Sequence, residues 1–555
     1  MIRSPRLPQD ERAFPSLTQA QIERFAARGK KRSVREGEVL VEAGDRVIPF
    51  FVVLSGELDF VRSPVRSFEA ETLVAVVTPG RFTGEISVLS GRSAIFSIRV
   101  GLAGEVIELD RQSMLAVVQA DAELNEVVMR AFITRRLAIV GAELGDVVLV
   151  GSTHSRDTLR LKEYLTRNGH PYQYVDLDDH GDIEHLMDAF NISVDEIPVL
   201  ICQGREVLRN PSNRKVAECL GFNEAVDPTK VRDLVIVGAG PSGLAAAVYA
   251  ASEGLDTLMI ETTAPGGQAG SSSRIENYLG FPTGISGQEL AGRAWVQAEK
   301  FGAQTLMASG AHLHCDERPY VVETDDGGRI PTRSIVIATG VEYRKLPLTE
   351  LPRFEGAGCY YAATKIEVDY CGAEDVIVVG GANSAGQAAV FLSERARRVY
   401  MLIRGDGLSA TMSRYLVARI EQTPNIEVRP HTEIVALEGD DHVERVRWRN
   451  NQTGETEERL IRHVFLMTGG APNTAWLDGC VVLDEKGFIK TGPALTTQEL
   501  LQAKWPLPRR PFLLETTLPR VFAVGDVRSG SVKRVASGVG EGSISISLLH
   551  EALKE

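Results

Sequence analysis

The stretch Leu234–Glu261, LVIVGAGPSGLAAAVYAASEGLDTLMIE, holds the residues whose types and spacing most directly imply chemistry. A β-branched apolar run (Leu234, Val235, Ile236, Val237) leads into Gly238-x-Gly240-x-x-Gly243. An Ala-rich segment of helical character follows, and then a second apolar run that closes on Glu261. Each position has a physical task. Gly238 permits the tight turn off a strand, Gly240 lets the backbone approach a pyrophosphate, and Gly243 lets helix and strand pack closely. The helix N-terminus offers free N–H donors and a positive dipole end to phosphates. Glu261 stands where a carboxylate accepts hydrogen bonds from a ribose diol. Together these features predict a dinucleotide-binding βαβ unit.

A second such unit is expected further on. The strand-like Val376–Val379 runs into Gly380-Gly381-Ala382-Asn383-Ser384-Ala385, with alanines replacing the middle and last glycines of the fingerprint. The next apolar run, RVYMLIRGD, ends on Arg404 with no acid at its tip. An arginine there suits the 2′-phosphate of NADPH, whereas an acid would suit the NADH ribose. Arg414 is either a further contact or a solvated side chain.

These two units must be carried by a large chain. At 555 residues, length favours three or four domains. No apolar run is long enough to span a membrane, and the N-terminus lacks the apolar core of a secretory signal. The net charge of −13 disfavours nucleic acid as the main partner. Six scattered cysteines (Cys202, Cys219, Cys315, Cys359, Cys371, Cys480), none in a C-x-x-C, argue against zinc and against a disulfide framework. They suit a reducing, cytoplasmic setting. No metal site is expected.

Residues 1–145 show short alternating segments punctuated by Gly37, Gly44 and Gly56, which predict a small β-barrel or jelly roll with a helical tail from about Arg111 to Glu143. The Gly37…Gly44-Asp45…Gly56 frame and Gly84-Glu85 resemble the cyclic-nucleotide-binding domain family. That resemblance implies a nucleotide ligand held by Gly84, Glu85 and an arginine. The expected arginine position holds Ala94, with Arg92 two residues early. A phosphate without a guanidinium loses its bidentate partner, so a different ligand or an interaction role stays open. Residues 146–222 read as strand, helix, strand, helix and strand, and resemble the thioredoxin/glutaredoxin fold, with Ile197-Pro198 at its cis-proline position. Where that family carries C-x-x-C stands Ser152-Thr153-His154-Ser155. A hydroxyl cannot supply the thiolate of disulfide exchange. This module is therefore expected to serve packing, docking or relay.

After a polar connector, residues 231–342 and 470–555 resemble the FAD domain of low-molecular-weight thioredoxin reductases, and 343–469 their NAD(P)H domain. The resemblance is carried by Gly266-Gly267-Gln268, Glu276-Asn277-Tyr278, Ala338-Thr339-Gly340, Val524-Gly525-Asp526 and Arg534-Val535-Ala536. It implies an FAD site of Gly238, Gly240, Gly243, Glu261, Gly267, Gln268, Asn277, Thr339, Gly340, Gly525, Asp526, Arg534, Val535 and Ala536. It implies an NADPH site of Gly380, Ala382, Asn383, Ser384, Ala385 and Arg404. The family's C-A-T-C aligns with Ala362-Ala363-Thr364-Lys365, so both of its cysteines are replaced. Cys359 and Lys365 are the candidates for chemistry nearby, against plainer readings as a small buried hydrophobe and a surface lysine.

The chain thus resembles bacterial fusions of a cyclic-nucleotide-binding domain with a thioredoxin-reductase-like flavoprotein. The expected activity is transfer of hydride from NADPH to FAD and onward to an unidentified protein or small-molecule acceptor, in a homodimer. A hinge is expected near Gly340 and Gly469. The alternatives are a thioredoxin-disulfide reductase using Cys359, Cys371 or a partner's thiols, a flavin or nucleotide sensor, and a ferredoxin–NADP reductase.

Overall fold

Period-two alternation gives the N-terminal part of the chain antiparallel strands. In a computed structural model, the structure describes residues 7, 11–62, 71–84, 88, 92–142, 147–152, 155–177, 196–202, 206–223, 227, 229–477 and 479–555. Helix α1 (Gln19–Ala26) starts in a capping box between Thr18 and Gln21. Strands β1 (Lys30–Val34), β2 (Val39–Val41), β3 (Phe50–Arg62), β4 (Thr72–Val77), β5 (Phe82–Thr83) and β6 (Ser97–Leu109) follow. They pair in the order β1-β6-β3-β4, with β2 on β6 and β5 on β3. The β3–β6 ladder shifts register around Ser55 and Glu57. There the backbones approach so closely that a β-carbon on Gly104 would stand 2.0 Å from the Ser55 carbonyl oxygen. The single helical tail expected from Arg111 to Glu143 is two helices, α2 (Arg111–Ala120) and α3 (Ala122–Gly141). Asp121 breaks it, because its extended backbone ends α2 while its carboxylate accepts from the Glu123 and Leu124 N–H groups.

Next come β7 (Val147–Gly151), α4 (Arg156–Arg167), β8 (Gln173–Asp176), β9 (Val199–Cys202), β10 (Glu206–Arg209) and α5 (Asn213–Cys219). The sheet order is β10-β9-β7-β8, with β8 parallel and β9 antiparallel to β7. The Ile197–Pro198 peptide is cis. The helix expected through IEHLMDAF, and Thr153-His154 before α4, lie outside the described residues.

The cysteines correct one expectation. Cys202 is bonded to Cys219, and Cys315 to Cys480. The partners are 17 and 165 residues apart and are brought together by the fold, which linear spacing does not show. Cys359 and Cys371 are free and buried.

The fingerprint region forms β11 (Leu234–Val237), α6 (Pro241–Ser252) and β12 (Thr257–Glu261), followed by α7 (Gly287–Lys300) and β13 (Gln304–Met307). A meander of β14 (Gly310–His314), β15 (Tyr320–Thr324) and β16 (Arg329–Thr332) precedes β17 (Ile335–Ile337). Strand β18 (Val341–Tyr343) then leads into a second sheet. That sheet contains β19 (Cys359–Tyr360), β20 (Asp375–Val379), β21 (Arg398–Leu402), β22 (Ile426–Arg429) and, after the meander β23 (Thr432–Glu438), β24 (Arg445–Asn450) and β25 (Thr456–Arg459), β26 (His463–Leu466). Its helices are α8 (Lys365–Cys371), α9 (Asn383–Ser393) and α10 (Arg414–Glu421). The chain returns through β27 (Gly470–Pro472) to β28 (Val521–Ala523) and the closing helix α11 (Val535–Leu553). The two sheets run β13-β12-β11-β17-β28 and β19-β26-β20-β21-β22, and the β11–β12, β11–β17, β17–β28, β19–β26, β20–β26, β20–β21 and β21–β22 pairs are parallel. Their strands are near-continuous apolar runs, as expected of parallel sheets covered on both faces.

The chain divides into two compact units. One comprises Met1–Ser152, Tyr164–Asp227 and Val296–Met307. The other comprises Thr153–Glu163, Pro228–Trp295 and Ala308–Glu555. Among the described residues no helix is long and apolar enough to cross a membrane.

Candidate functional site

At the carboxyl ends of β11, β12, β17 and β28 the glycines do what their spacing predicts. Gly238 takes φ +102° and lies against the Ala338 carbonyl, which would stand 2.4 Å from an added β-carbon. Gly243 packs its turn of α6 onto the Gly238 carbonyl oxygen, 1.9 Å from an added β-carbon. Gly240 is the N-cap of α6, followed by Pro241 at the first helical position. A β-carbon on Gly240 would meet only the Gly267 α-carbon, at 4.0 Å. The space over the α6 N-terminus is therefore clear of side chains on that side, a cradle suited to a pyrophosphate.

Glu261 organises this cradle. Its carboxylate accepts from the Ala239 N–H at 2.8 Å, the Thr263 N–H at 3.0 Å and the Ala264 N–H at 3.3 Å. A carboxylate offers about four acceptor positions, so capacity for a ribose hydroxyl remains. Gln268 donates from Nε2 to the Val341 carbonyl, and Asn277 is exposed. Thr339 donates its hydroxyl to the Asn473 carbonyl at 2.8 Å, and Asn473 Nδ2 returns a bond to the Thr339 carbonyl at 3.0 Å. Gly340 turns the chain at φ +63°.

The last part of the site comes from the far end of the sequence. Gly525, at φ +72°, would place a β-carbon 2.2 Å from Ser242 Oγ. Its N–H donates to Glu541 at 2.7 Å, and Glu541 is also paired with Arg528. Burial pushes the Asp526 carboxyl above its usual range, against the pull of the Lys533 ammonium. Lys533 donates to the Asp526 carbonyl at 2.7 Å. Arg534 is the N-cap of α11, and Val535 and Ala536 form its first turn. Gly538 and Gly542 lie against Ser242, so α6 and α11 pack almost backbone to backbone. The fit to FAD is thus an open cradle at one end and a half-buried carboxyl at the other.

In the second sheet, Gly380 takes φ +141° against the Met467 carbonyl and the Ala385 β-carbon. Ala382 is the N-cap of α9 without a side-chain cap, so the first N–H groups of that helix stay available to an anion. Asn383 fixes the loop by accepting from the Ser413 N–H at 2.7 Å, and Thr411 donates to the Gly381 carbonyl at 2.7 Å. Ala385 is buried, while Arg404 and Arg414 are exposed beyond β21. An exposed guanidinium at the strand tip fits a phosphate.

Three features of the site have no simple sequence signature. Tyr343 packs on the second core, meets Ser384 with its hydroxyl and feels the Asp526 carboxylate; burial pushes its phenol up. Arg419 Nη1 on α10 reaches Glu276 at 2.7 Å, tying the second sheet's helix to the Glu276-Asn277-Tyr278 loop. Strands β18 and β27 pair antiparallel at the expected hinge.

Lys365 is exposed at the first position of α8, where Thr364 and Glu367 form a capping box. Cys359 is buried and its thiol is pushed up to about 12, first by desolvation and then by Glu355; Cys371 is pushed higher still by burial and by Glu367. In the N-terminal domain Gly84 turns at φ +96°, and Glu85 lies outside the described residues. Arg92 donates to the Asn168 carbonyl at 2.9 Å and stacks 4.0 Å above the Phe222 ring.

A family model described as pyridine nucleotide-disulphide oxidoreductase matches residues 232–542, and one described as cyclic nucleotide-binding domain matches residues 31–121. The thioredoxin reductase of Treponema pallidum is 33% identical over 313 residues, covering 56% of this chain and 94% of its own. That of Bacillus subtilis is 30% identical over 327 residues, 59% of this chain and 96% of its own. The solved thioredoxin reductase of Lactococcus lactis in its FR conformation superposes with a TM-score of 0.52 at 26% identity, covering 58% of this chain and 99% of that one. Over most of its length, then, this chain belongs to the pyridine nucleotide-disulphide oxidoreductase family, as an oxidoreductase working with FAD and NADPH.

Proposed function

We propose that the protein passes electrons from NADPH through FAD to an acceptor other than a dithiol in its own NADPH domain. The observation that carries this reading is the start of α8. Where the resemblance places a redox pair, Ala362 and Lys365 carry no sulfur, and Thr364 with Glu367 turns the site into an ordinary capped helix start. Bound FAD and NADPH would supply the chemistry, the nicotinamide giving up a hydride and the flavin taking it.

The chain's own residues bind and orient. Gly238, Gly240, Gly243 and Gly267 let backbone approach the FAD pyrophosphate, Glu261 takes its ribose, and Asp526 its ribityl hydroxyls. Gln268, Asn277, Thr339, Gly340, Gly525, Arg534, Val535 and Ala536 line the same cofactor. Gly380, Ala382, Asn383, Ser384 and Ala385 carry the NADPH pyrophosphate at the α9 N-terminus, and Arg404 meets its 2′-phosphate. Gly84, Glu85 and Arg92 remain the candidate contacts for a nucleotide in the first domain, and a homodimer is the expected assembly.

The thioredoxin-disulfide reductase alternative through Cys359 and Cys371 is disfavoured, because both thiols are buried and held protonated at neutral pH. The test is an anaerobic NADPH titration of the purified protein, following flavin absorbance to full bleaching. One equivalent per flavin is expected. A requirement for two would overturn the reading and point to a disulfide in exchange with the flavin.

A further inference from the structure

Helix α4 starts at Arg156, directly after Ser152-Thr153-His154-Ser155, the sequence positions at which the thioredoxin resemblance would place a cysteine pair. Its leading half, within Thr153–Glu163, belongs to the second compact unit. Leu159 is 5% exposed and is part of the same buried cluster as Tyr360, Ala363, Val368 and Cys371. One turn earlier, Arg156 donates from Nη1 to the Pro352 carbonyl at 3.4 Å, and its Nη2 lies 3.7 Å from the Glu355 carboxylate. Glu355 is itself buried and accepts from Lys345 at 3.0 Å and from the Tyr361 hydroxyl at 2.7 Å. A β-carbon on Gly356 would stand 2.8 Å from Arg156 Cγ.

Arg156 and Leu159 are three residues apart and share one helix face. That face lies on the segment between Pro352 and Cys371, which contains Ala362-Ala363-Thr364-Lys365. A disulfide protein would have to approach this same segment to exchange electrons with a pair placed there. The part of a thioredoxin-like chain that must approach is the turn before its first helix, because its own pair sits on it. Here both stretches lack sulfur, and what persists between the two elements is packing: a buried leucine and an arginine on a buried carboxylate.

We propose that the leading half of α4 is a built-in occupant of this docking surface, closing it to an external thioredoxin-like protein, so that electrons leave the flavin by another route. The proposal rests on the flavoprotein reading above. A small molecule is not excluded from the motif, since Lys365 is exposed.

That difference supplies the test. In the full chain, a Lys365→Cys variant is challenged with two probes. One is 5,5′-dithiobis(2-nitrobenzoate). The other is a thioredoxin whose resolving cysteine is replaced by serine and whose nucleophilic cysteine carries thionitrobenzoate as a mixed disulfide. In each reaction the introduced thiolate attacks the probe's disulfide, a new S–S bond forms, and thionitrobenzoate leaves with the electron pair and is read by its absorbance. The unsubstituted chain gives the background. The measured quantity is the ratio of the protein-probe rate to the small-probe rate.

Adding Arg156→Glu and Leu159→Glu is expected to raise that ratio about tenfold or more, because docking of two protein surfaces is what α4 obstructs. An unchanged ratio overturns the proposal. If the double glutamate variant does not fold, Arg156→Ala with Leu159→Ala takes its place, with flavin content and bleaching by NADPH as the check on folding. A chain that bleaches normally but shows an unchanged ratio refutes the occupied surface alone. A chain without α4 substitutions that fails to bleach refutes the flavoprotein reading.

Discussion

At the scale of single residues, Glu261 and Arg404 carry opposite kinds of information. Glu261 is half-buried and committed to three backbone N–H groups of the loop it serves, so it shapes the cradle as well as lining it. Charge-assisted bonds of this kind contribute about 1.5–3 kcal/mol each. Glu261→Ala is expected to leave the protein with a flavin-to-protein absorbance ratio well below that of the parent, together with a lower melting temperature. Arg404 is exposed, and among the described residues no hydrogen bond or ion pair holds it, so its removal should act mainly on the ligand. In Arg404→Ala the KM for NADPH should rise about tenfold or more, with the KM for NADH nearly unchanged and kcat preserved. Equal effects on both nucleotides would remove Arg404 from the 2′-phosphate site. A third residue reports on stability through pH. Lys490, 2.6 Å away, and the backbone N–H of Thr496 hold the Glu499 carboxyl down at about 2. Because the folded value is depressed, the stabilisation is present above the ordinary value near 4.5 and fades as pH falls toward 2. Glu499→Gln should therefore cost about 1 kcal/mol at pH 7, after allowing for solvent screening, and almost nothing near pH 2. Urea unfolding at the two pH values measures it.

At the scale of elements, Arg419 on α10 and Glu276 form an ion pair between the second sheet's helices and the Glu276-Asn277-Tyr278 loop. Arg419 is exposed and Glu276 half-buried, so their 2.7 Å contact is expected to add little to global stability and to act mainly on the placement of the loop. Glu276→Arg should slow reduction of the flavin by NADPH in stopped flow by about tenfold. Combining it with Arg419→Glu should recover most of that loss, with flavin content unchanged throughout; failure of the swap to recover the rate would show that the pair does not place the loop. This pair also marks the limit of what sequence could show. The βα turns at Gly238 and Gly380 were legible because a strand, a tight turn and a helix start are local events, specified by neighbours within a few residues. Glu276 and Arg419 are 143 residues apart, and neither side chain announces its partner. The same holds for Gly525 with Glu541 and Ser242, for Tyr343 with Ser384, and for both cysteine pairs. The break at Asp121 was readable in principle, since an Asx cap inside a helical pattern is a stop signal, but the apolar periodicity on either side of it hid the stop.

At the scale of the whole molecule, the N-terminal β-sheet and the β10-β9-β7-β8 sheet are joined within one compact unit, and Arg92 is part of that join. Its guanidinium donates to the Asn168 carbonyl, stacks on Phe222, and lies in the field of Arg136 and Glu299; burial, more than the nearby like charge, pushes it down to about 9. Arg136 donates to the same Asn168 carbonyl at 3.1 Å. A residue so placed does structural work that a phosphate contact alone would not require. A half-buried cation–π contact and a charge-assisted hydrogen bond together contribute on the order of 2–3 kcal/mol. Two readings of Arg92 then separate cleanly. As a ligand contact, Arg92→Ala would abolish any shift in melting temperature produced by a cyclic nucleotide and change little in its absence. As a join between modules, the same substitution should lower the melting temperature of the free protein by several degrees. We expect the second result. It should appear as a lowered or separated first transition in scanning calorimetry, while the transition reported by flavin fluorescence stays in place. A phenylalanine-side variant, Phe222→Ala, should reproduce part of the loss, and Arg92→Ala on top of it should then add only what the Asn168 hydrogen bond carries, because the ring contact is already gone.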